Sequence, residues 1–235
     1  MIALDERRLL TLWDMAVERH PIDRALILLA DLAEAPADLP IGERDRRLLE
    51  LRAALFGSRI ETTATCADCG QRLDLVFTAE QAIGSGAMEQ AVVEAACGSV
   101  RLTLRQPTSR DLAAVADAPA DRAPRLLVER LILSVDPSEQ EVATLSGEVV
   151  VAAEEALRAA SPDSEIILET VCAECGAAAS LLFDPVTHVW SEFDAAARRL
   201  LFEAHSLALA YGWTEAETFA LPPARRRRYL ELVGA

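Results

Sequence analysis

One short cysteine motif occurs twice in this chain, as Cys66-Ala67-Asp68-Cys69-Gly70 and again as Cys172-Ala173-Glu174-Cys175-Gly176. A CxxC turn presents two thiolates to one metal ion, and the glycine after the second cysteine lets backbone amides turn towards the sulfurs. Zinc takes four tetrahedral ligands, so two such turns complete its shell. We therefore predict one zinc ion, bound by Cys66, Cys69, Cys172 and Cys175.

The predicted zinc is structural, because four protein ligands leave no coordination position for water or substrate. The long spacer between Cys69 and Cys172 makes the metal a clasp between distant segments. A redox dithiol and inert buried thiols are the alternatives. A thioredoxin-like CxxC begins a helix after a strand, whereas strand-like sequence continues on both sides of each motif here. Cys97 has no CxxC partner and is expected to be a small apolar residue at a turn.

The sequence around each motif predicts a β-hairpin with the cysteines at its tip. Strand-like residues run from Arg59 to Thr65 and from Arg72 to Phe77, and again from Glu165 to Val171 and from Leu181 to Phe183. Placing Cys66 over Cys172 reveals a weak internal repeat, in which the matched pairs are Ile60 and Ile166, Gly70 and Gly176, Leu75 and Leu181, and Phe77 and Phe183. Two facing half-sites are expected.

Helical spacing dominates the rest of the chain. An amino-terminal helical region, residues 1–57, is expected to hold three helices, with breaks at Pro21 and at the 35–40 loop and an end near Gly57. Further on we expect a hairpin from Val92 to Leu104, and the predicted helices after it are Ser109 to Ala116, Pro124 to Ser134 and Gly147 to Ala160.

The carboxy-terminal sequence predicts one long helix and two short ones. The long helix begins at Asp184-Pro185 and ends at Gly212, Thr214 and Glu217 form a capping box, and Pro222-Pro223 opens a last helix to about Val233. The predicted fold class is α+β, mostly helical, with two β-hairpin knuckles that form a split zinc-ribbon-like site. Residues 58–235 are expected to be a zinc-clasped body, continuous with residues 1–57 as one structural unit.

Charge and composition narrow the possible partners and the compartment. The 23 basic residues, all arginine, stand against 38 acidic ones, for a net charge of -15, which repels a nucleic-acid backbone and an anionic membrane alike. No window approaches about 18 uncharged apolar residues, and the charged residues of Met1 to Arg8 do not fit a signal peptide. Five cysteines suit a reducing compartment. We expect a soluble, cytoplasmic protein that binds neither nucleic acid nor membrane.

Catalytic motifs are missing from the sequence. His20, His188 and His205 lie in helical sequence without a paired nucleophile or carboxylate motif, so helix packing or capping is expected of them. A glycine-rich phosphate loop, HExxH and GxSxG are all absent. We predict that the protein is not an enzyme.

The carboxy-terminal helices carry the candidate partner-binding residues, which are Tyr211, Trp213, Arg225, Arg226, Arg227, Arg228 and Tyr229. Aromatic side chains and arginine are enriched at interaction hot spots. The alternatives are that the arginines form a solvated helix face and that Trp213 and Tyr229 pack the short helices against the long one. An exposed arginine row predicts that charge reversal at Arg226 and Arg227 leaves the melting temperature nearly unchanged.

Several of these stretches resemble the T4-type baseplate hub assembly chaperones of contractile phage tails and related contractile injection systems. The resemblance rests on Trp190-Ser191-Glu192, Ala197-Arg198-Arg199-Leu200-Leu201, Tyr211-Gly212-Trp213-Thr214-Glu215-Ala216-Glu217 and Arg226-Arg227-Arg228-Tyr229-Leu230-Glu231-Leu232, and extends to the cysteine hairpins and to Gln106-Pro107-Thr108-Ser109-Arg110-Asp111-Leu112. It covers the chain from about Arg59 onward.

The resemblance implies a non-enzymatic assembly factor whose partners are baseplate hub or spike proteins. A structural baseplate subunit of the finished particle is the nearest alternative. A zinc-ribbon regulator that binds nucleic acid is more distant, since the net charge of -15 opposes it, and a hydrolase comes last.

Overall fold

The structure is a computed structural model that describes residues 4–83, 91–137, 141–161 and 164–234. The residues that the structure describes are 55% helical and 21% strand, which confirms the predicted α+β, mostly helical class. In chain order the elements are α1 (Glu6–Ala16), α2 (Pro21–Leu28), α3 (Ile41–Phe56), β1 (Arg59–Thr65), β2 (Arg72–Thr78), α4 (Ala79–Ile83), β3 (Val92–Cys97), β4 (Val100–Arg105), α5 (Ser109–Val115), α6 (Ala123–Leu131), β5 (Ile132–Asp136), α7 (Gly147–Ala160), β6 (Ile166–Val171), β7 (Ala178–Phe183), α8 (Pro185–Tyr211), α9 (Glu215–Ala220) and α10 (Pro223–Val233).

Two compact units make up the chain. The first consists of Met1–Leu28 and Val186–Ala235, and the second is Leu29–Pro185. Residues 57 and 58, between α3 and β1, lie inside the second unit. The predicted boundary there, and the predicted single structural unit, stay predictions. Residues 1–3 and 235 belong to the predicted segments but lie outside the described residues.

The first unit is entirely helical in its described part. The long helix α8 buries Val189, Phe193 and Ala197 along one face, as the helical spacing of apolar residues predicted. Trp13 of α1 donates a hydrogen bond from Nε1 to Asp194 Oδ1 at 2.8 Å. These contacts tie the amino-terminal helix to the long carboxy-terminal one within the same unit.

Side-chain caps fix the starts of α1 and α9 in this unit. Asp5 accepts a hydrogen bond from the Arg8 amide at 2.7 Å, at the start of α1. Thr214 and Glu217 form the predicted capping box of α9, with the Thr214 amide donating to Glu217 Oε2 at 2.8 Å. Each cap satisfies amide groups that the first helical turn leaves without a carbonyl partner.

A three-stranded antiparallel sheet in the order β3-β4-β5 forms the centre of the second unit. One face of the sheet packs on α6 and α7, and the core residues there are Val93, Ala95, Leu102, Leu104, Val128, Leu131, Leu145, Val149, Val150 and Ala153. The prediction that a helix runs to Ser134 is wrong beyond Leu131. Ile132–Asp136 pairs with β4 instead, and Val135 lies opposite Leu102. In a short segment with β-branched residues, pairing with a neighbouring strand outweighs helix propensity.

The stretch Gln106–Leu112 joins α3 to the sheet. The Ile41 amide donates to the Pro107 carbonyl at 3.0 Å, and Arg105 donates two hydrogen bonds to the Asp111 carboxylate at 2.6 and 2.7 Å. Thr108 adds its amide at 3.0 Å and its hydroxyl at 2.9 Å to the same carboxylate. Asp111 is thereby a buried anchor for the start of α5.

None of the helices that the structure describes combines the length and the apolar character needed to cross a membrane.

Candidate metal centre

The β1-β2 hairpin builds the first half of the site. The strands pair antiparallel from Arg59 opposite Thr78 to Thr65 opposite Arg72, and the knuckle follows directly. The Cys66 amide donates to the Gln71 carbonyl at 2.8 Å, and the Gly70 amide donates to the Cys66 carbonyl at 3.0 Å. Gly70 has a φ of 73°, a conformation that glycine adopts without the steric cost of a side chain.

The β6-β7 hairpin repeats this arrangement hydrogen bond for hydrogen bond. The Cys172 amide donates to the Ala177 carbonyl at 2.8 Å, and the Gly176 amide donates to the Cys172 carbonyl at 2.9 Å. Gly176 also has a φ of 73°. The internal repeat detected in the sequence is therefore a repeat of backbone geometry.

The two hairpins pack face to face through equivalent residues. Phe77 and Phe183 occupy matching positions, and their rings meet edge to face with centroids 5.1 Å apart. Leu73 and the two buried cysteines, Cys66 and Cys172, form a small apolar cluster with Ala179 and Leu181. This packing brings the two knuckles to one place although the chain between them includes the sheet and four helices.

All four motif cysteines converge in the structure. The sulfur of Cys66 lies 3.8 Å from that of Cys175, and the sulfur of Cys69 lies 3.6 Å from that of Cys172. All four sulfurs lie within 4.8 Å of one another. A tetrahedron with metal–sulfur bonds of about 2.3 Å has sulfur–sulfur edges of about 3.8 Å. The cluster therefore has the size of a four-sulfur metal site and could hold one metal ion.

Burial follows the same two-fold pattern. The first cysteine of each motif is buried, with Cys66 2% and Cys172 1% exposed, while Cys69 and Cys175 are exposed. Each close sulfur pair joins the buried cysteine of one hairpin to the exposed cysteine of the other. Both hairpins are thus needed to complete the site.

The electrostatics of the cluster favour a bound cation. Backbone hydrogen bonds from Cys175 and Glu174 lower the pKa of Cys172 to about 7. A backbone hydrogen bond from Gln71 favours the Cys69 thiolate, but burial and the neighbouring sulfurs outweigh it and raise the pKa of Cys69 to about 12. Four thiolates this close repel one another, and a divalent cation at their centre removes that penalty.

The fifth cysteine does not join the cluster. Among the described residues, the four cysteines of the two motifs form the metal-ligand group. Cys97 ends β3 and packs, partly buried, against the apolar core of the sheet. It lies beside Gly98, whose φ of 59° makes the tight turn to β4.

The aromatic candidates of the carboxy-terminal helices form one cluster. Tyr211 stacks on Trp213 with centroids 4.9 Å apart, and Tyr229 meets Trp213 edge to face at 4.9 Å and Tyr211 at 5.6 Å. Tyr211 is 41% exposed. The rings therefore pack α10 against the end of α8, and part of the cluster still faces solvent.

The prediction of an exposed arginine row is wrong at Arg226. Its side chain is 1% exposed and donates to Glu203 Oε2 at 2.6 Å, to Glu6 Oε1 at 2.5 Å and to the Leu221 carbonyl at 3.2 Å. Its guanidinium also lies 5.2 Å from the centre of the Phe219 ring. Arg226 is a structural residue of the first unit, so its charge reversal is expected to disturb folding.

The other three arginines, Arg225, Arg227 and Arg228, are exposed. Arg228 donates to Glu231 at 2.9 Å on the surface of α10. Helical spacing could have separated these residues, because Arg226 shares a face with Tyr229 and Leu230, three and four positions further on. Because the four arginines are consecutive, the sequence alone did not suggest that one of them faces the interior.

The chain matches no family model, no curated protein and no solved structure. The site is therefore described by its geometry alone, as a closed cluster of four cysteines shared by two hairpins.

Proposed function

We propose that Cys66, Cys69, Cys172 and Cys175 bind one structural zinc ion. The observation that supports this most directly is the set of cross-hairpin sulfur distances, 3.6 and 3.8 Å, which fit the edges of a tetrahedral zinc–sulfur site. Thiolates suit zinc, and zinc has no geometric demand beyond the tetrahedron that the knuckles provide. Since four sulfurs fill the shell, the ion's role is to hold two segments together.

The proposed zinc is a clasp inside the second unit. It joins the segment 59–78 to the segment 166–183 at the tips of their hairpins, where the apolar cluster beneath the sulfurs is small. Structural zinc contributes about 10–16 kcal/mol of apparent binding free energy in small modules at pH 7. Metal binding is therefore expected to dominate the stability of the paired hairpins.

We propose further that the protein is a non-enzymatic assembly factor for the baseplate hub or spike of a contractile phage tail or contractile injection system, acting in the cytoplasm. The resemblance of the hairpins and carboxy-terminal helices to the T4-type baseplate hub assembly chaperones supports this role. The cluster of Tyr211, Trp213 and Tyr229 is partly exposed, and α10, which carries Tyr229, also carries the exposed Arg225 and Arg227. Aromatic residues and arginine are enriched at interaction hot spots.

Co-expression tests the assembly role. The protein is expressed with each hub and spike protein encoded near its gene, and complexes are isolated from subassemblies and from finished particles. An assembly factor is expected in complexes with hub or spike protein and absent from the finished particle. Retention in the particle at fixed stoichiometry would instead make it a baseplate subunit, and capture of neither protein would refute both readings.

A further inference from the structure

The two zinc hairpins differ on the faces that point away from each other. In both hairpins the inward residues are buried or half-buried and are apolar except for Thr62 and Thr170. The outward residues alternate with them and are exposed except for Thr78, which is half-buried. The backbone repeat allows position-by-position comparison of the two outer faces. One copy serves as an internal reference for the other.

The outer face of the first hairpin is charged. Arg59 pairs with Glu61 at 2.8 Å, and Arg72 pairs with Asp74 at 2.9 Å. Such surface pairs keep an exposed strand soluble and discourage association with other chains. This face has the character of ordinary protein surface.

The outer face of the second hairpin is aliphatic at equivalent positions. Ile167 replaces Glu61 and lies opposite Leu182, while Ala178 replaces Arg72 and lies opposite Val171. The exposed fractions are 46% for Ile167, 69% for Leu182 and 63% for Val171. An exposed, largely aliphatic face on one of two otherwise matching hairpins marks an interaction surface.

A single carboxylate stands in the middle of this aliphatic face. Glu169 is exposed, lies opposite Ser180 and accepts a hydrogen bond from the Ser180 hydroxyl at 2.8 Å. The aliphatic pairs Ile167–Leu182 and Val171–Ala178 flank it on both sides along the strands. A complementary surface therefore presents aliphatic side chains on either side of one lysine or arginine.

The same charge argues against a second copy of this chain as the occupant. A symmetric pairing of two β6-β7 faces would oppose one Glu169 with another, between chains that each carry a net charge of -15. Like charges brought together in an apolar contact are strongly unfavourable. The occupant is a different protein segment with a basic centre.

We infer that the outer face of β6-β7, formed by Ile167, Glu169, Val171, Ala178 and Leu182, is the docking surface for an aliphatic segment of a client protein with a central lysine or arginine. The inference rests on the proposed assembly function and names the client-binding surface. It places client binding beside the zinc knuckle, so that the metal holds the docking strands in position.

The test uses two neutral variants of the full-length, metal-loaded protein. Ile167→Thr with Leu182→Thr removes aliphatic surface and places a β-branched residue at both strand positions. Val76→Thr makes the same change on the outer face of the first hairpin, at the position equivalent to Leu182. Both variants are expected to keep full metal content, because the altered side chains point away from the sulfurs. Glu169→Gln removes the central charge alone.

The probes are two peptides that differ only at one central residue, which is lysine in one and glutamate in the other, and that carry leucines on either side of it on the same strand face. The lysine peptide is expected to bind the wild type and the Val76→Thr variant equally, and the Ile167→Thr/Leu182→Thr variant about tenfold more weakly. Glu169→Gln should reduce the preference for lysine over glutamate. Equal binding to the two neutral variants, equal binding of both peptides to the wild type, or no binding of either would overturn the docking surface.

Capture of co-expressed hub and spike proteins then separates this inference from the proposed function. Capture by the wild type that is lost in Ile167→Thr/Leu182→Thr and kept in Val76→Thr supports both. Capture unchanged in the double variant overturns the docking surface and leaves the assembly function standing. Peptide binding as expected without capture of any hub or spike protein refutes the assembly function and leaves the surface standing.

Discussion

At the scale of single residues, two buried charges carry structural roles that composition could not reveal. Asp111 receives hydrogen bonds from Arg105 and Thr108 in the second unit, and Arg226 holds Glu6 and Glu203 in the first. Burying one member of such a group without its partners costs several kcal/mol, so each is expected to be intolerant of truncation.

Asp111 is expected to make the stability of the second unit sensitive to acid. Burial alone would raise the pKa of Asp111, but hydrogen bonds from Arg105 and Thr108 outweigh it and lower the pKa to about 2 from 3.8. Because the unfolded chain takes up the proton at higher pH, the stabilisation is complete above about pH 4 and is lost as the pH falls towards 2. Asp111→Asn is expected to lower the free energy of unfolding by about 2 kcal/mol at pH 7.

The measurement is chemical denaturation of wild type and Asp111→Asn between pH 2 and pH 7. The difference between them should shrink below about pH 4. The difference between wild type and variant is needed because Asp45 has the opposite effect on stability. Burial raises the pKa of Asp45 to about 6, so its contribution to the free energy of unfolding falls as the pH rises from about 4 to 6. A difference that stays constant down to pH 2.5 would contradict the assignment to Asp111.

Arg226 and Arg227 are neighbours of the same residue type, one buried and one exposed, so a variant of Arg227 is a control for the same variant of Arg226. Arg226→Ala leaves Glu6 and Glu203 without their shared cation and is expected to destabilise the protein by about 3–5 kcal/mol. Arg227 is exposed, so Arg227→Ala should change stability by less than about 0.5 kcal/mol. Urea denaturation of the two variants measures this difference in stability. Equal unfolding midpoints would show that Arg226 is not a structural residue.

At the scale of elements, the two glycines of the knuckles are tied to the hairpin geometry. Gly70 and Gly176 share a φ of 73°, and an added Cβ would meet nothing within 4 Å at either. The cost of an alanine there is therefore backbone strain, about 1–2 kcal/mol per site. Gly147, in the first turn of α7, also has open space, but its alanine variant should be neutral or stabilising.

Thermal unfolding of the metal-loaded protein compares the three alanine variants. Gly70→Ala and Gly176→Ala should lower the melting temperature by similar amounts, because the two knuckles have the same hydrogen bonds, and Gly147→Ala should not lower it. A knuckle variant as stable as the wild type would argue against the repeated turn geometry.

Elements with local signals were predictable from the sequence, and those defined by distant pairing were not. The cysteine motifs with their flanking β-branched residues predicted both cysteine hairpins, and the capping box predicted α9. The strand Ile132–Asp136 was not predicted, because Ile-Leu-Ser-Val fits the end of a helix as well as it fits a strand. Its pairing with β4, which lies far away in the sequence, makes it a strand. The burial of Arg226 was not predicted either, because its carboxylate partners, Glu6 of α1 and Glu203 of α8, are distant in the sequence.

At the scale of the whole molecule, the metal is expected to control the stability of the second unit. Removing it leaves four close sulfurs over a small apolar cluster, and the hairpins lose the link between their tips. A chelator should lower the melting temperature and speed hydrogen exchange in β1, β2, β6 and β7, while the sheet β3-β4-β5 stays protected by its own core. Unchanged hydrogen exchange in the hairpins after metal removal would contradict the proposal that the metal holds the two hairpins together.

The measurement that tests the central claim most directly is the metal content of purified protein, determined by elemental analysis for the wild type and for Cys66→Ser and Cys172→Ser. A shared site predicts one zinc per wild-type chain, and each single substitution should abolish stable binding although it alters only one hairpin. A folded wild-type protein without zinc, or full zinc content in the Cys172→Ser variant, would contradict a single zinc ion held by both hairpins.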